Sequence, residues 1–450
     1  MANAASPAIP QQGAPPAVSD QEYRQIIKVA LASLIGTSIE WYDYFLYGTA
    51  AALVFNKLFF PSYDPLIGTL LAFATFSVGF LARPIGGIVF GHYGDKIGRK
   101  KMLYITLVIM GLATAFIGLL PTYYTIGIWA PILLVCMRLL QGFGLGGEWG
   151  GAVLMAVEHA PANRRGFFGS WPQVGAYIGL LLSTLVFRAV SKLPEAQFLS
   201  WGWRVPFLLS FGLVVVGIWI RMTIAESPVF EKLKAQKKEV KGMPIIEAIV
   251  KHPKNILIAM GARFAENGLF YVFTVFSLTY IATHLKVPRV VGLNGLLWAS
   301  AIGIIAAPLW GLLSDVIGRR PVYIYGAVFC GLMSFPFFWM LGTRQPWVLA
   351  VAIVIPVVFG HAAMYGPQAS MLSEMFSARV RYSGASLGYQ LASIFAGGLS
   401  PLIATWLLSL GVAAGKGASY VAFYMIALVV ITAVSVSFAK ETNKDTIHER

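Results

Sequence analysis

The sequence predicts an all-α polytopic membrane protein with twelve transmembrane helices in two six-helix halves. Three observations lead there. Of the 450 residues, 57% are hydrophobic and only 12% charged, where a soluble chain carries about a quarter charged residues. Apolar runs of roughly twenty residues recur along the chain, each long enough to cross a hydrocarbon core about 30 Å thick. A short motif also occurs twice, as GHYGDKIGRKK at 91–101 and GLLSDVIGRR at 311–320. Gly91, Asp95, Gly98 and Arg99 thus recur as Gly311, Asp315, Gly318 and Arg319, each displaced by 220 positions. A duplicated half is the simplest origin, and repeated halves around a midplane site are an architecture of membrane carriers.

Taken in order, residues 1–26 are rich in Ala, Pro and Gln and lack a basic segment followed by an apolar core, so they read as a disordered tail rather than a signal peptide. Span one (27–54) carries Glu40, Trp41 and Asp43, and span two (66–92) carries Arg83 and runs into the first motif copy. Span three is 102–120. Span four (127–157) carries Arg138, Glu148 and a glycine cluster, Gly142, Gly144, Gly146 and Gly147, which lets helices approach closely. Span five (166–189) holds Trp171, Gln173 and Tyr177, and span six (203–224) closes the first half, 27–224. Residues 225–254 interleave seven lysines with Glu226, Glu231, Glu239 and Glu247 and read as a central linker. The second half, 255–439, holds spans 255–283 (Arg263, Glu266), 291–315, 321–341, 347–373 (His361), 382–409 (Tyr389, Gln390) and 418–439, before a tail at 440–450.

The net charge of +15 is distributed by topology. Of 34 Lys and Arg, twenty-three fall in alternate connections and tails, eight near the opposite ends, and three (Arg83, Arg138, Arg263) within spans. The positive-inside rule then places both termini in the cytoplasm. A bacterial-type inner (plasma) membrane protein is expected, with the lipid bilayer as its surroundings, no nucleic-acid partner, and a monomeric state. Cys136 and Cys330 both lie in spans, so neither a disulfide framework nor a metal cluster is expected.

The duplication extends to a second pair. Glu158 and Arg165 are seven apart, and so are Glu374 and Arg381, at a common displacement of 216. A carboxylate at a helix end, as at Asp95 and Asp315, accepts hydrogen bonds from a following helix N-terminus or pairs with a guanidinium. The two motif copies and the two Glu–Arg pairs are therefore expected to gate the cytoplasmic side. The simpler alternative is that their basic residues only fix orientation.

These elements resemble the major facilitator superfamily, whose loop signature is a Gly, three residues, Asp, two residues, then Gly-Arg-Lys. GTSIEWYDYFLYG (36–48), ARPIGGIVFGHYGDKIGRKK (82–101), RLLQGFGLGGEWGG (138–151), WGWRVPF (201–207) and ESPVFE (226–231) narrow it. Together they look like the metabolite:H⁺ symporter family, and the match through spans one to four with residues 263–266 looks most like its shikimate transporter branch. The resemblance covers nearly the whole chain. It implies the major facilitator fold and proton-coupled import of a small organic solute, a carboxylate such as shikimate or a dicarboxylate, by alternating access. No cofactor is implied beyond the proton as coupling ion. An exporter or uniporter of the same fold, or a membrane sensor without transport, are the alternatives. An ATP-driven pump is disfavoured because no G-x-x-x-x-G-K-[ST] loop occurs. No nucleophile–base pair or metal-ligand set suggests an enzyme.

Ionisable groups at membrane depth cost roughly 2.5–3.5 kcal/mol on insertion scales and are functional candidates by default. Glu40 and Asp43 are three apart and share a helical face. A carboxylate that alternately pairs with Arg138 and takes a proton is the minimal coupling device. Asp43 is the first candidate, Glu40 the second and Glu148 the third, although Glu148 also reads as a structural partner of Arg83. A fixed ion pair is the bland reading. Arg138 and Arg263 each offer a planar fork that matches a carboxylate, while Glu266, one turn on, could simply neutralise Arg263. Asn267 and Tyr271 extend that face. Gln173 and Gln390 follow Arg165 and Arg381 at matching distances, and with Trp41 and Tyr177 they are expected to line the solute cavity. His361 reads as a hydrogen-bonded interior residue more readily than as a proton carrier.

Overall fold

A computed structural model describes residues 20–97, 99–146, 149–222, 244–377 and 380–443. Every regular element among them is helical. The helices of the first half are α1 (Asp20–Ala50), α2 (Pro65–Ile97), α3 (Arg99–Leu119), α4 (Trp129–Gly146, continued by Trp149–His159), α5 (Arg165–Val190) and α6 (Arg204–Met222). Those of the second half are α7 (Pro253–Tyr271, extended to His284), α8 (Arg289–Ile317), α9 (Arg319–Leu332 and Ser334–Gly342), α10 (Pro346–Ile355, extended to Glu374), α11 (Arg381–Ala392, extended to Ala413) and α12 (Ser419–Ser437). Nine described helices are long and apolar enough to cross a membrane, and α9, bent by 43°, makes a tenth. α1 and the shorter apolar stretch of α3 (Tyr104–Leu119) complete the order. The side on which Asp315, Arg319, Glu374 and Glu441 gather is called here the near side.

Helices form throughout because a lipid-embedded backbone must satisfy its own hydrogen bonds. Prolines inside α2 (Pro84), α5 (Pro172), α8 (Pro308) and α10 (Pro367) are accommodated within continuing helices. Exposed large side chains such as Trp219, Leu257, Ile305, Leu332 and Phe423 point outward, as expected where lipid rather than water covers the surface.

The halves meet along two seams, α5 against α8 and α2 against α11. Exchanging each helix for its counterpart in the other half, α5 for α11 and α8 for α2, turns one seam into the other, as the duplication requires. Within the first half α2 and α4 cross very closely: a Cβ on Gly142 would fall on the Gly79 carbonyl, and one on Gly146 on that of Arg83. The glycine cluster of span four is thus spent on packing. Pro244–Lys251 is a short helix inside the stretch read as linker. Glu148, Gly98 and the side chains of Gly91, Asp95 and Arg99 lie outside the described residues.

Candidate functional site

Between the halves lies a cavity of about 10 Å³, lined by Trp41 and Phe45 of α1, Ala176 and Tyr177 of α5, Glu266, Asn267, Phe270 and Tyr271 of α7, His361 and Tyr365 of α10, and Tyr389 of α11. The cavity is tight in this structure, with room for about one water. Three helices wind one residue wider beside it, at Val272–Phe276, Pro356–His361 and Ser393–Gly398. Such π-turns often mark functional positions.

Arg263 is satisfied from within. It pairs with Glu266 at 3.0 Å, donates to Gln368 at 2.8 Å and Ser393 at 3.1 Å, and lies 3.4 Å over the Tyr389 ring. Gln368 donates to Glu266 at 2.8 Å. His361 Nε2 is 3.2 Å from Glu266 and its Nδ1 is 2.6 Å from the Tyr177 hydroxyl. As a carboxylate Glu266 can only accept, which puts the ring proton on Nε2 and leaves Nδ1 to accept from Tyr177. Of the two roles expected for Arg263, neutralisation by Glu266 is the one this geometry displays. His361 is buried and hydrogen-bonded at both ring nitrogens.

In the first half, Arg138 donates to the Phe76 carbonyl at 3.3 Å and to Gln141 at 3.1 Å. The rings of Tyr44, Tyr47 and Phe76 stand 4.1, 4.2 and 4.8 Å from its guanidinium carbon. Asp43 is fully buried, accepts a hydrogen bond from Ser210 of α6, and has no partner for its second oxygen. Asp43 and Arg138 do not pair in this structure, whereas the expected device alternates between pairing with Arg138 and taking a proton. Successive helical residues point about 100° apart, so Tyr44 and Tyr47 turn to Arg138 while Asp43 turns to α6 and α3. An indirect path does join them. Gln141 donates to Thr114 at 2.6 Å, one turn from Gly111, whose added Cβ would stand 3.7 Å from the free Asp43 oxygen. Glu40 is buried on the same helix.

Gln173 and Gln390 lie below the cavity rather than on its wall. Gln173 accepts from the Trp149 indole at 3.2 Å and Gln390 donates to the Gly146 carbonyl at 3.1 Å. Trp149 and Tyr389, from opposite halves, stack at 3.6 Å and floor the cavity on the near side. Sequence reasoning passed over Trp149; an indole in the glycine-rich GEWGG was the available signal.

Further toward the near side, the second motif copy joins the halves. Asp315 accepts from the backbone amides of Gly166 at 2.7 Å and Phe167 at 2.9 Å, at the N-terminus of α5. Arg319 binds Asp315 at 2.7 Å and Glu374 at 3.3 Å. Arg165 approaches Glu374 at 4.0 Å, and Arg381 meets Glu158 at 3.3 Å across the seam. Gly311 presses on Gly166, and Gly318 holds φ +110°, which favours glycine. On the far side, Glu195 binds Lys57 at 2.9 Å and Arg289 at 2.6 Å, again across the halves. No sequence pattern pointed to that triad. The halves thus touch on both sides of the cavity, and on the far side a pocket of about 350 Å³ opens beside Lys57 and Arg289.

A family model described as "Sugar (and other) transporter" matches residues 28–255 and 250–450. The chain belongs to this family. The transporter is 44% identical over 420 residues to the shikimate transporter of Escherichia coli (strain K12), covering 93% of this chain and 95% of that one. It is 41% identical over 437 residues to the inner membrane metabolite transport protein YhjE of the same organism, covering 95% and 98%. Among solved structures, the major facilitator superfamily proton:xylose symporter XylE with bound 6-bromo-6-deoxy-D-glucose aligns with a TM-score of 0.75 at 19% identity, over 95% of this chain and 98% of that one. The major facilitator fold expected from the motifs is the fold found, and the protein is a multi-pass membrane transporter, not an enzyme.

Proposed function

We propose that this transporter is a proton-coupled symporter that imports a small organic acid by alternating access, with both termini in the cytoplasm. The observation that carries it is Asp43, a carboxyl group buried in a membrane-spanning helix with one oxygen unpartnered and no ion pair among the described residues. The charge of such a group follows what approaches it, since desolvation and a nearby guanidinium act in opposite senses. The Thr114–Gln141–Arg138 path provides a route for that approach. The 44% identity to a shikimate transporter supports a carboxylate solute. The Asp315 and Glu374 contacts with α5 act as the inner gate, and the Glu195 triad as the outer one.

In proteoliposomes, Asp43→Asn should abolish proton-driven accumulation of shikimate yet retain counterflow exchange. Accumulation that survives the substitution would sink the assignment. Solute addition should also alkalinise the outside medium, which a uniporter would not do and an exporter would reverse.

A further inference from the structure

Three arginines lie within the spans, and they differ in what they hold. Arg263 has a carboxylate and two neutral acceptors and leaves only its Nε unmet, and Arg138 has a carbonyl and an amide oxygen and leaves only its Nη2 unmet. Arg83, on α2, is 1% exposed, yet among the described residues, which do not include Glu148, its Nε and Nη1 groups have no hydrogen-bond acceptor and it has no counter-charge. Its guanidinium carbon lies 5.8 Å from the Trp41 ring, 5.4 Å from that of Tyr44 and 5.3 Å from that of Phe80. Aromatic faces at that range stabilise a cation only partly. A buried charge without a counter-charge is strongly destabilising, and each unmet donor adds its desolvation cost. Such an arrangement is expected where a ligand supplies the missing acceptor.

The surroundings complete the case. Trp41 lines the cavity, and three other cavity-lining groups are likewise buried without a partner: Asn267 Oδ1, Tyr271 Oη and Tyr389 Oη. The Tyr44 hydroxyl, beside Arg83, is a further one. Two or more unsatisfied groups around one small space describe a ligand by its complement. Unmet N–H donors on Arg83 call for an anion, the lone amide oxygen of Asn267 calls for a donor such as a hydroxyl, and the rings between them suit a compact carbon frame.

We propose that Arg83 binds the carboxylate of the transported solute, and that the solute is a small monoanionic hydroxy acid whose hydroxyls meet Asn267 and the cavity tyrosines. This rests on the organic-acid reading above and narrows it, because Arg83 answers one carboxylate while the other unpartnered groups around the cavity, Asn267 and the tyrosine hydroxyls, are neutral. Arg138 and Arg263 spend most of their donors within their own halves, so the carboxylate is assigned to Arg83.

The test is equilibrium binding to the purified full-length protein, with shikimate, its uncharged methyl ester and 2-oxoglutarate as probes. The parent protein should prefer shikimate over the ester and over 2-oxoglutarate by at least about tenfold, the scale of one charge-assisted hydrogen bond. Arg83→Gln should erase the preference for the acid over the ester while leaving ester binding within twofold, and Arg83→Lys should restore part of it. Unchanged shikimate binding in Arg83→Gln would overturn the inference while leaving the organic-acid reading intact. Equal loss of acid and ester would also overturn it, by showing a structural role. A parent protein that binds no acid would remove both.

Discussion

Arg263 and Glu266 stand three residues apart on α7 and 3.0 Å apart in space, both fully buried. Their spacing alone made the pair legible, because positions i and i+3 share a helix face. The energetic consequence is testable. Arg263→Gln leaves a buried carboxylate without its cation, a loss of about 3–5 kcal/mol. The double variant Arg263→Gln/Glu266→Gln should recover most of that in thermal unfolding of the detergent-solubilised protein. Additive losses would mean the two do not act as a pair. Other residue-scale facts were not legible. Whether Asp43 faces Arg138 depends on which neighbours α1 meets on each side, and no local pattern states that. The surroundings of Arg83, set by Trp41 and Tyr44 of α1, are remote in sequence, so no local pattern assigns it a role.

At the scale of elements, the seam between α5 and α8 depends on two glycines that meet backbone to backbone. A Cβ on Gly311 would stand 2.5 Å from the Gly166 carbonyl oxygen. Gly311→Val should therefore wedge the near-side ends apart at a cost of about 1–3 kcal/mol. With Ser170→Cys as reporter, buried on the same face, labelling by a polar maleimide should accelerate about tenfold, the shift that roughly 1.4 kcal/mol gives. An unchanged rate would show that the crossing does not limit near-side opening. The repeated motif revealed that these loops matter and that a carboxylate would cap a helix. It did not reveal that Asp315 caps α5, a helix of the other half.

For the whole molecule, closure is shared unequally between the two sides. The near side holds buried ion pairs and helix-end contacts, whereas the far side relies on a half-exposed triad around Glu195. Exposed pairs contribute about 0.2–1 kcal/mol each and are screened by salt. Glu195→Gln should accordingly lower the rate of disulfide cross-linking between Ala52→Cys and Thr279→Cys about threefold at low salt. Those positions touch across the halves in the closed state, where Thr279 donates to the Ala52 carbonyl at 3.3 Å. The difference should vanish at high salt, and its absence at low salt would show that the triad does not hold the far side shut. The two-half architecture was legible from the repeat, but Glu195 and Arg289 are paired only by the assembled fold.

The near side also carries a mechanical asymmetry. Glu441, just past α12, accepts the Arg319 and Arg320 amides at 2.8 and 3.0 Å, and Thr442 donates to Glu374 at 2.6 Å. The ends of α9, α10 and α12 are thereby riveted into one block, while a few contacts to Arg165, Gly166, Phe167 and Glu158 cross to the other half. Under load such a joint parts along the line with fewer rivets. In an alternating-access cycle the second half would swing as a stiff lever with its last turn as a brace, leaving the fracture line at the first turn of α5.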